Sequence, residues 1–170
     1  MLETGAHALG CEVFPGGTGQ TELQVAAMAD LQPDGYVGTP SFLRIILERA
    51  DELGVKLPSL TKALVSAEPF PSSLRDAFIA RGVQGYQVYA TADVGAIAYE
   101  SAARDGLVVD EGVLVEIVRA GDGEPVEPGA VGEVVVTTLT NGDYPMNRFG
   151  TGDVSALLPS VCACGRPTKR

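Results

Sequence analysis

The chain has no apolar run near the ~20 residues that a membrane span needs. Its N-terminus has neither the basic start nor the apolar core of a secretory leader. Cysteine is scarce, three in 170 residues, and two of the three lie in Cys162-Ala163-Cys164. That is no secreted disulfide framework. These absences point to a cytoplasmic protein with no membrane partner. Basic residues are outnumbered, 12 Lys and Arg against 22 Asp and Glu, for a formal net charge of −10. A nucleic-acid backbone is therefore excluded as the main partner. A single nucleotide, held by local donors and a metal, is not. His7 is the only histidine, and there is no sustained short repeat or low-complexity segment. What is present is 45% hydrophobic and 20% charged. That composition describes a folded chain, long enough for one good-sized domain or two small lobes.

The first half reads as strand-helix units. Glu12 to Pro15 is predicted as a short strand entering Gly16-Gly17-Thr18-Gly19. Residues 21–31 form a helix with Leu23, Ala26, Ala27 and Leu31 near a 3.6 period. Tyr36-Val37-Gly38 is a short strand ending at Thr39-Pro40-Ser41. A helix then runs over 41–53 with Leu43, Ile46, Leu47 and Leu53 on one side, and Gly54 suits its cap. Ala63 to Ser66 is a strand ending at Ala67-Glu68-Pro69. Pro71 and Ser72 open a helix that turns Leu74, Phe78 and Ile79 inward. Tyr86 to Val88 is the next strand. Beyond residue 106 no good helix is found, only strands over 106–109, 113–118 and 132–138 with Gly- and Pro-rich turns between them. The fold class expected is α/β: a mostly parallel sheet with flanking helices, then a small antiparallel β lobe forming a partial barrel. The change in composition divides residues 1–104 from 105–170.

The stretch from Gln84 to Gly95 organises the rest. An apolar and aromatic run ends in Tyr89-Ala90-Thr91-Ala92-Asp93. A strand end of this kind delivers an aromatic face, a hydroxyl and a carboxylate to one sheet edge, where open α/β sheets bind ligands. Those groups suit a base, a phosphate oxygen and Mg²⁺. They equally suit an ordinary strand end with an Asp cap. Three further segments are candidates for the same cleft: Gly38 to Ser41, Ser66 to Pro69, and Arg148 to Asp153. In the last, Asp153 sits in a Gly-flanked turn fit to accept two neighbouring hydroxyls, or to make an Asx turn at a strand start.

Together these segments resemble the adenylate-forming acyl- and aryl-CoA synthetases, most closely the phenylacetate–coenzyme A ligase branch. The family carries Tyr-Gly-x-Ser/Thr-Glu where this chain has Tyr89 to Asp93. It carries Gly/Ala-Glu-Pro, matched by Ala67-Glu68-Pro69, and Arg-Tyr-Arg-Thr-x-Asp, matched by Arg148 to Asp153. Glu133 to Thr140 and Cys162 to Arg166 also resemble that branch. The resemblance implies that the intact protein uses ATP and Mg²⁺ to adenylate an aryl or acyl carboxylate, then passes it to coenzyme A, as in aromatic catabolism. Tyr89 would stack on adenine, against a wall from Ala67, Glu68 and Pro69. Ala90, Thr91 and Ala92 would line the phosphate side. Asp93 would stand for the metal-linked Glu, one methylene shorter, and Ala92 replaces a phosphate-contacting hydroxyl. Asp153 would hold the ribose of ATP or AMP. Tyr36, Gly38, Thr39, Pro40 and Ser41 would line the carboxylate pocket.

The resemblance also implies parts that this sequence does not contain. The phosphate loop would precede Met1, and the lobe with the catalytic lysine would follow Arg170. Gly16 to Gly19 lacks a lysine and reads as a turn. No catalytic residue is therefore assigned, and the chain reads as a fragment of the large N-terminal region. The other reading is a non-catalytic nucleotide-binding or structural module of the same fold. A sheet lacking its neighbouring strands would favour a homo-oligomer. Cys162 and Cys164 suit two Zn²⁺ thiolates, but structural zinc takes four ligands. Two reduced surface thiols are the alternative.

Overall fold

The computed structural model describes residues 2–140, 142–159, 162–167 and 169–170. The backbone forms two compact units, Met1–Tyr86 and Gln87–Arg170.

In the first unit the elements are α1 (Leu2–Ala8), α2 (Thr21–Leu31), β1 (Gly35–Gly38), α3 (Pro40–Glu52), β2 (Lys62–Val65) and α4 (Ser72–Ile79). β1 and β2 run parallel, with Gly35 opposite Lys62 and Gly38 opposite Val65. The third strand, β3 (Gln84–Thr91), starts here, and Gln84 N donates to Thr61 O at 2.8 Å. α3 shows why the local sequence chooses a helix. Thr39 caps it by accepting from Phe42 N, and Pro40, with φ already fixed, opens it. Leu43, Ile46, Leu47 and Ala50 follow at i, i+3, i+4 and i+7 and are all buried. They join Leu60, Ala63, Val65, Phe70, Phe78 and Val83 in the core.

The second unit takes the rest of β3 and then only strands: β4 (Gly95–Glu100), β5 (Leu107–Val109), β6 (Val113–Val118), β7 (Gly132–Thr138) and β8 (Phe149–Ser155). β3, β4 and β5 pair antiparallel in succession. β6, β7 and β8 form a separate, open antiparallel sheet. β6 alternates as a half-buried strand should: Val113, Val115 and Ile117 are buried while Leu114 is 45% exposed. Those residues pack with Ile97, Val109, Val134 and Val136.

The expected class therefore holds: an α/β unit with parallel strands and helices, then antiparallel β structure. The division between compact units falls inside β3, whereas the composition changes near residue 104. β4 pairs with both β3 and β5, so the hairpin goes with the strands that follow it.

Several local expectations are corrected. Glu12 to Pro15 is not a strand; it pairs with none among the described residues, and Phe14 is 64% exposed. α1 was not foreseen. α2 buries Val25 and packs Met28 against Ile46 and Ala50, leaving Leu23 and Leu31 exposed. Two apolar stripes compete on that helix, and the one facing α3 wins. Leu53 and Ile79 also lie outside the core. β4 was missed because Ala96 and Ala98 carry little β-propensity. Arg148 to Asp153 is not a turn: all but Arg148 lies within β8.

Candidate functional site

Each unit brings together part of the expected set. In the first unit, β1 ends at Gly38 and the cap of α3 begins at once. Glu68, just beyond β2, reaches this helix start. Its Oε1 accepts from Ser41 Oγ at 2.9 Å and its Oε2 from Ser41 N at 3.3 Å. A carboxylate on the first turn of a helix is favoured by the unpaired N–H groups there. Tyr36 is half-buried and donates to Thr39 O at 3.3 Å. Burial, and then the Glu68 charge, hold its phenol above the ordinary value, against a smaller opposing effect of the Thr39 backbone. Ala67 adopts a left-handed backbone, φ 67°. That costs an alanine about 1–2 kcal/mol and marks a point where the surroundings dictate the chain. Pro69 follows it. Segments 36–41 and 67–69 are thus joined through the Glu68–Ser41 pair.

In the second unit, β3 presents Tyr89 and β8 presents Asp153. The Tyr89 hydroxyl donates to Asp153 Oδ2 at 2.6 Å. The Tyr89 ring packs at the margin of the core cluster while Asp153 is exposed. Burial, and then the bond to Asp153, hold the Tyr89 phenol above its ordinary value, with Thr151 acting the other way. Thr151 is a residue that sequence reasoning had not singled out. Its hydroxyl donates to Val134 O at 3.1 Å and accepts from Asp153 N at 3.2 Å, which fixes the backbone that carries Asp153. The available signal is its match to the Thr of the Arg-Tyr-Arg-Thr-x-Asp motif, two residues before the Asp. Ala90 pairs with Ala96 in the β3–β4 ladder. Thr91 Oγ1 accepts from Val94 N at 3.1 Å and closes the turn into β4. Ala92 and Asp93 lie in that turn and are exposed. Asp93 makes no hydrogen bond or ion pair among the described residues. One free carboxylate is what Mg²⁺ uses when phosphates and water supply its other ligands.

The thiols are not both at the surface. Cys162 is 3% exposed and Cys164 is half-buried. The Cys162 thiol, then the Arg166 backbone, hold the Cys164 thiol below its ordinary value. Among the described residues no group of three or more His, Cys, Asp and Glu could share a metal ion. The pair alone does not complete a structural zinc site.

Tyr36, Tyr89 and Tyr99 all hold their protons above the ordinary phenol value of 10.0. A raised acid stabilises the fold below its unfolded value, and that stability is lost as pH rises through the folded value. Unfolding should therefore become easier above about pH 10. Tyr89→Phe should flatten this decline, read by urea melts across pH 9–12 with phenolate absorbance as a check. An unchanged decline would remove Tyr89 as a contributor.

With this geometry in place, comparison with known proteins defines the class. The family model described as AMP-binding enzyme matches residues 1–141, most of the chain, and the chain belongs to that family. Its relatives include phenylacetate-coenzyme A ligases. The one from Aromatoleum evansii is 35% identical over 162 residues, 91% of this chain and 37% of that enzyme. The one from Thermus thermophilus is 34% identical, covering 97% and 39%. The chain therefore spans about two-fifths of the length of these relatives. A 2-hydroxyisobutyryl-CoA ligase in the postadenylation state, in complex with 2-HIB-AMP, has a TM-score of 0.88 at 25% identity. That match covers 98% of this chain and 38% of the other. The resemblance read from the motifs is borne out. Among the described residues no helix is long and apolar enough to cross a membrane.

Proposed function

We propose that this chain supplies the adenosine-binding and carboxylate-facing portions of an ATP-dependent aryl- or acyl-CoA ligase. The observation that carries the reading is the Tyr89–Asp153 pair. An aromatic face and a carboxylate held together are the groups needed for a base and a ribose diol. Tyr89 stacks on adenine and Asp153 accepts the ribose hydroxyls. Ala67, Glu68 and Pro69 form the adenine wall. Asp93 meets the Mg²⁺ that accompanies ATP, and Ala90, Thr91 and Ala92 face the phosphates. Tyr36 and residues 38–41 line the carboxylate pocket. The intact ligase joins the carboxylate to AMP and then to coenzyme A. Membership in the AMP-binding family and the likeness to phenylacetate-coenzyme A ligases support this reading.

A second reading is a non-catalytic module of the same fold. It is favoured by the local engagement of Glu68 and Thr91, which hold a helix start and a turn.

Calorimetry with AMP tests the first reading. Asp153→Ala should weaken AMP binding by roughly 10- to 100-fold, the net loss of one charge-assisted hydrogen bond worth about 1.5–3 kcal/mol. Glu133→Ala, a substitution on β7, should leave it unchanged. Equal affinities for the two variants would remove the ribose assignment. No affinity in the unaltered chain would favour the second reading.

A further inference from the structure

We propose that Cys162 and Cys164 are a reversible oxidation site, closing to an intramolecular disulfide under hydrogen peroxide. Gly165 N donates to Cys162 O at 3.0 Å, so residues 162–165 form a tight turn that carries both thiols. Cys164 N donates to Cys162 Sγ at 3.3 Å. Residues two apart span at most about 7 Å when extended, and a turn draws them closer. Disulfides take Cα separations of about 4.4–6.8 Å, so the bond needs little backbone movement.

The two thiols differ in access. Cys164 is partly open to solvent and takes the first oxidation. Cys162 is buried, with Ser101 Oγ 3.7 Å from its sulfur, and resolves it. The Cys164 thiolate sulfur attacks one peroxide oxygen and the O–O bond breaks. The departing hydroxide takes a proton and leaves as water, and Cys164 becomes a sulfenic acid. The Cys162 sulfur then attacks the Cys164 sulfur. The S–S bond forms, the S–O bond breaks, and the second hydroxide takes the Cys162 proton and leaves as water. Two thiols give up two electrons and two protons, and peroxide is reduced to two waters. The segment that closes is anchored. Arg166 stacks over the Tyr99 ring at 5.3 Å and pairs with Glu111 at 3.2 Å.

The test treats the protein with about one equivalent of hydrogen peroxide in the presence of a chelator, and then with N-ethylmaleimide. The readout is non-reducing peptide mapping. The expected product is a C-terminal peptide two hydrogens lighter, without maleimide on either cysteine, and restored by dithiothreitol. Cys11, exposed and distant in sequence, should keep its label. In Cys162→Ser, treated with peroxide in excess of two equivalents, Cys164 should proceed through the sulfenic acid to the sulfinic acid, or to a mixed disulfide when glutathione is added. In Cys11→Ser the disulfide should form as before. Full maleimide labelling of Cys162 and Cys164 after peroxide would overturn the proposal. So would sulfinic acid at Cys164 in the unaltered chain, or covalent dimers in place of the internal bond. The map of the unaltered chain decides the matter if a serine variant fails to fold.

Discussion

The 170-residue chain, given ATP, phenylacetate and coenzyme A, is expected to release no pyrophosphate above the buffer blank. Attack of a carboxylate on the α-phosphate is mostly positioning and charge neutralisation. The leaving pyrophosphate needs backbone donors from a Gly-rich loop and a lysine. Gly16 to Gly19 does not build that site. Residues 11–20 are irregular and almost wholly exposed, and Gln24 Nε2 donates to Gly19 O at 2.8 Å. The three lysines, Lys56, Lys62 and Lys169, are all exposed and follow no phosphate-loop pattern. The arginines are engaged elsewhere. Arg49 pairs with Glu22 and Glu52, Arg81 with Asp51, Arg119 with Asp122, and Arg148 with Glu116. Loss of one preorganised donor costs about 10²–10³ in rate, and here several are wanting together. Turnover in protein free of host ligases would mean that these residues make a phosphate site by another route. Binding of AMP without turnover is the companion result that the adenosine assignment requires.

How much of this was legible depends on the range over which each feature is decided. α3 was readable because everything that makes it lies within 14 residues: cap, proline and buried stripe. The alternation of β6 was readable for the same reason. α2 was recognised as a helix but given the wrong buried face, because Val25 and Met28 are chosen by α3 rather than by their own segment. β4 has the composition of a weak strand and is fixed by pairing on both sides. The site shows the same division. The motifs placed Glu68, Tyr89 and Asp153 among the candidates. They did not show that Glu68 braces a helix start 27 residues away, or that Tyr89 reaches Asp153 across 64 residues. Those contacts are set by tertiary packing, and no local pattern encodes them.

Gly132→Ala should be among the most destabilising single changes in the second unit. By propensity alone, glycine at the start of β7 is a weak strand residue that alanine should improve. The packing reverses that expectation. A Cβ at residue 132 would lie 2.3 Å from Val118 O and 2.9 Å from Ile117 Cγ2. Neither neighbour can easily retreat. Val118 is 2% exposed, pairs with Glu133 in the β6–β7 ladder and bridges Pro125 on its other side. Ile117 is buried in the core cluster. Relief therefore means moving backbone in a paired strand, the costly form of overpacking, about 3 kcal/mol. For a unit of this size that corresponds to a melting temperature lower by roughly 12–24 °C. Gly150→Ala is the matched control on the neighbouring strand. Its Cβ would meet Glu133 Oε1 at 2.8 Å, with Glu133 Cδ the next atom at 3.8 Å. That contact is the far end of a flexible, partly exposed side chain, which can swing away. The control should stay within about 0.5 kcal/mol of the parent, the usual range for surface changes. Thermal melts give the size of each effect, and hydrogen exchange in β6 and β7 shows whether it arises in this sheet. Equal losses for the two variants would mean that strand conformation, not contact with the Val118 carbonyl, requires glycine at 132. No loss at 132 would mean that β6 and β7 can separate at that point without cost, contrary to the pairing that holds Val118 on both sides.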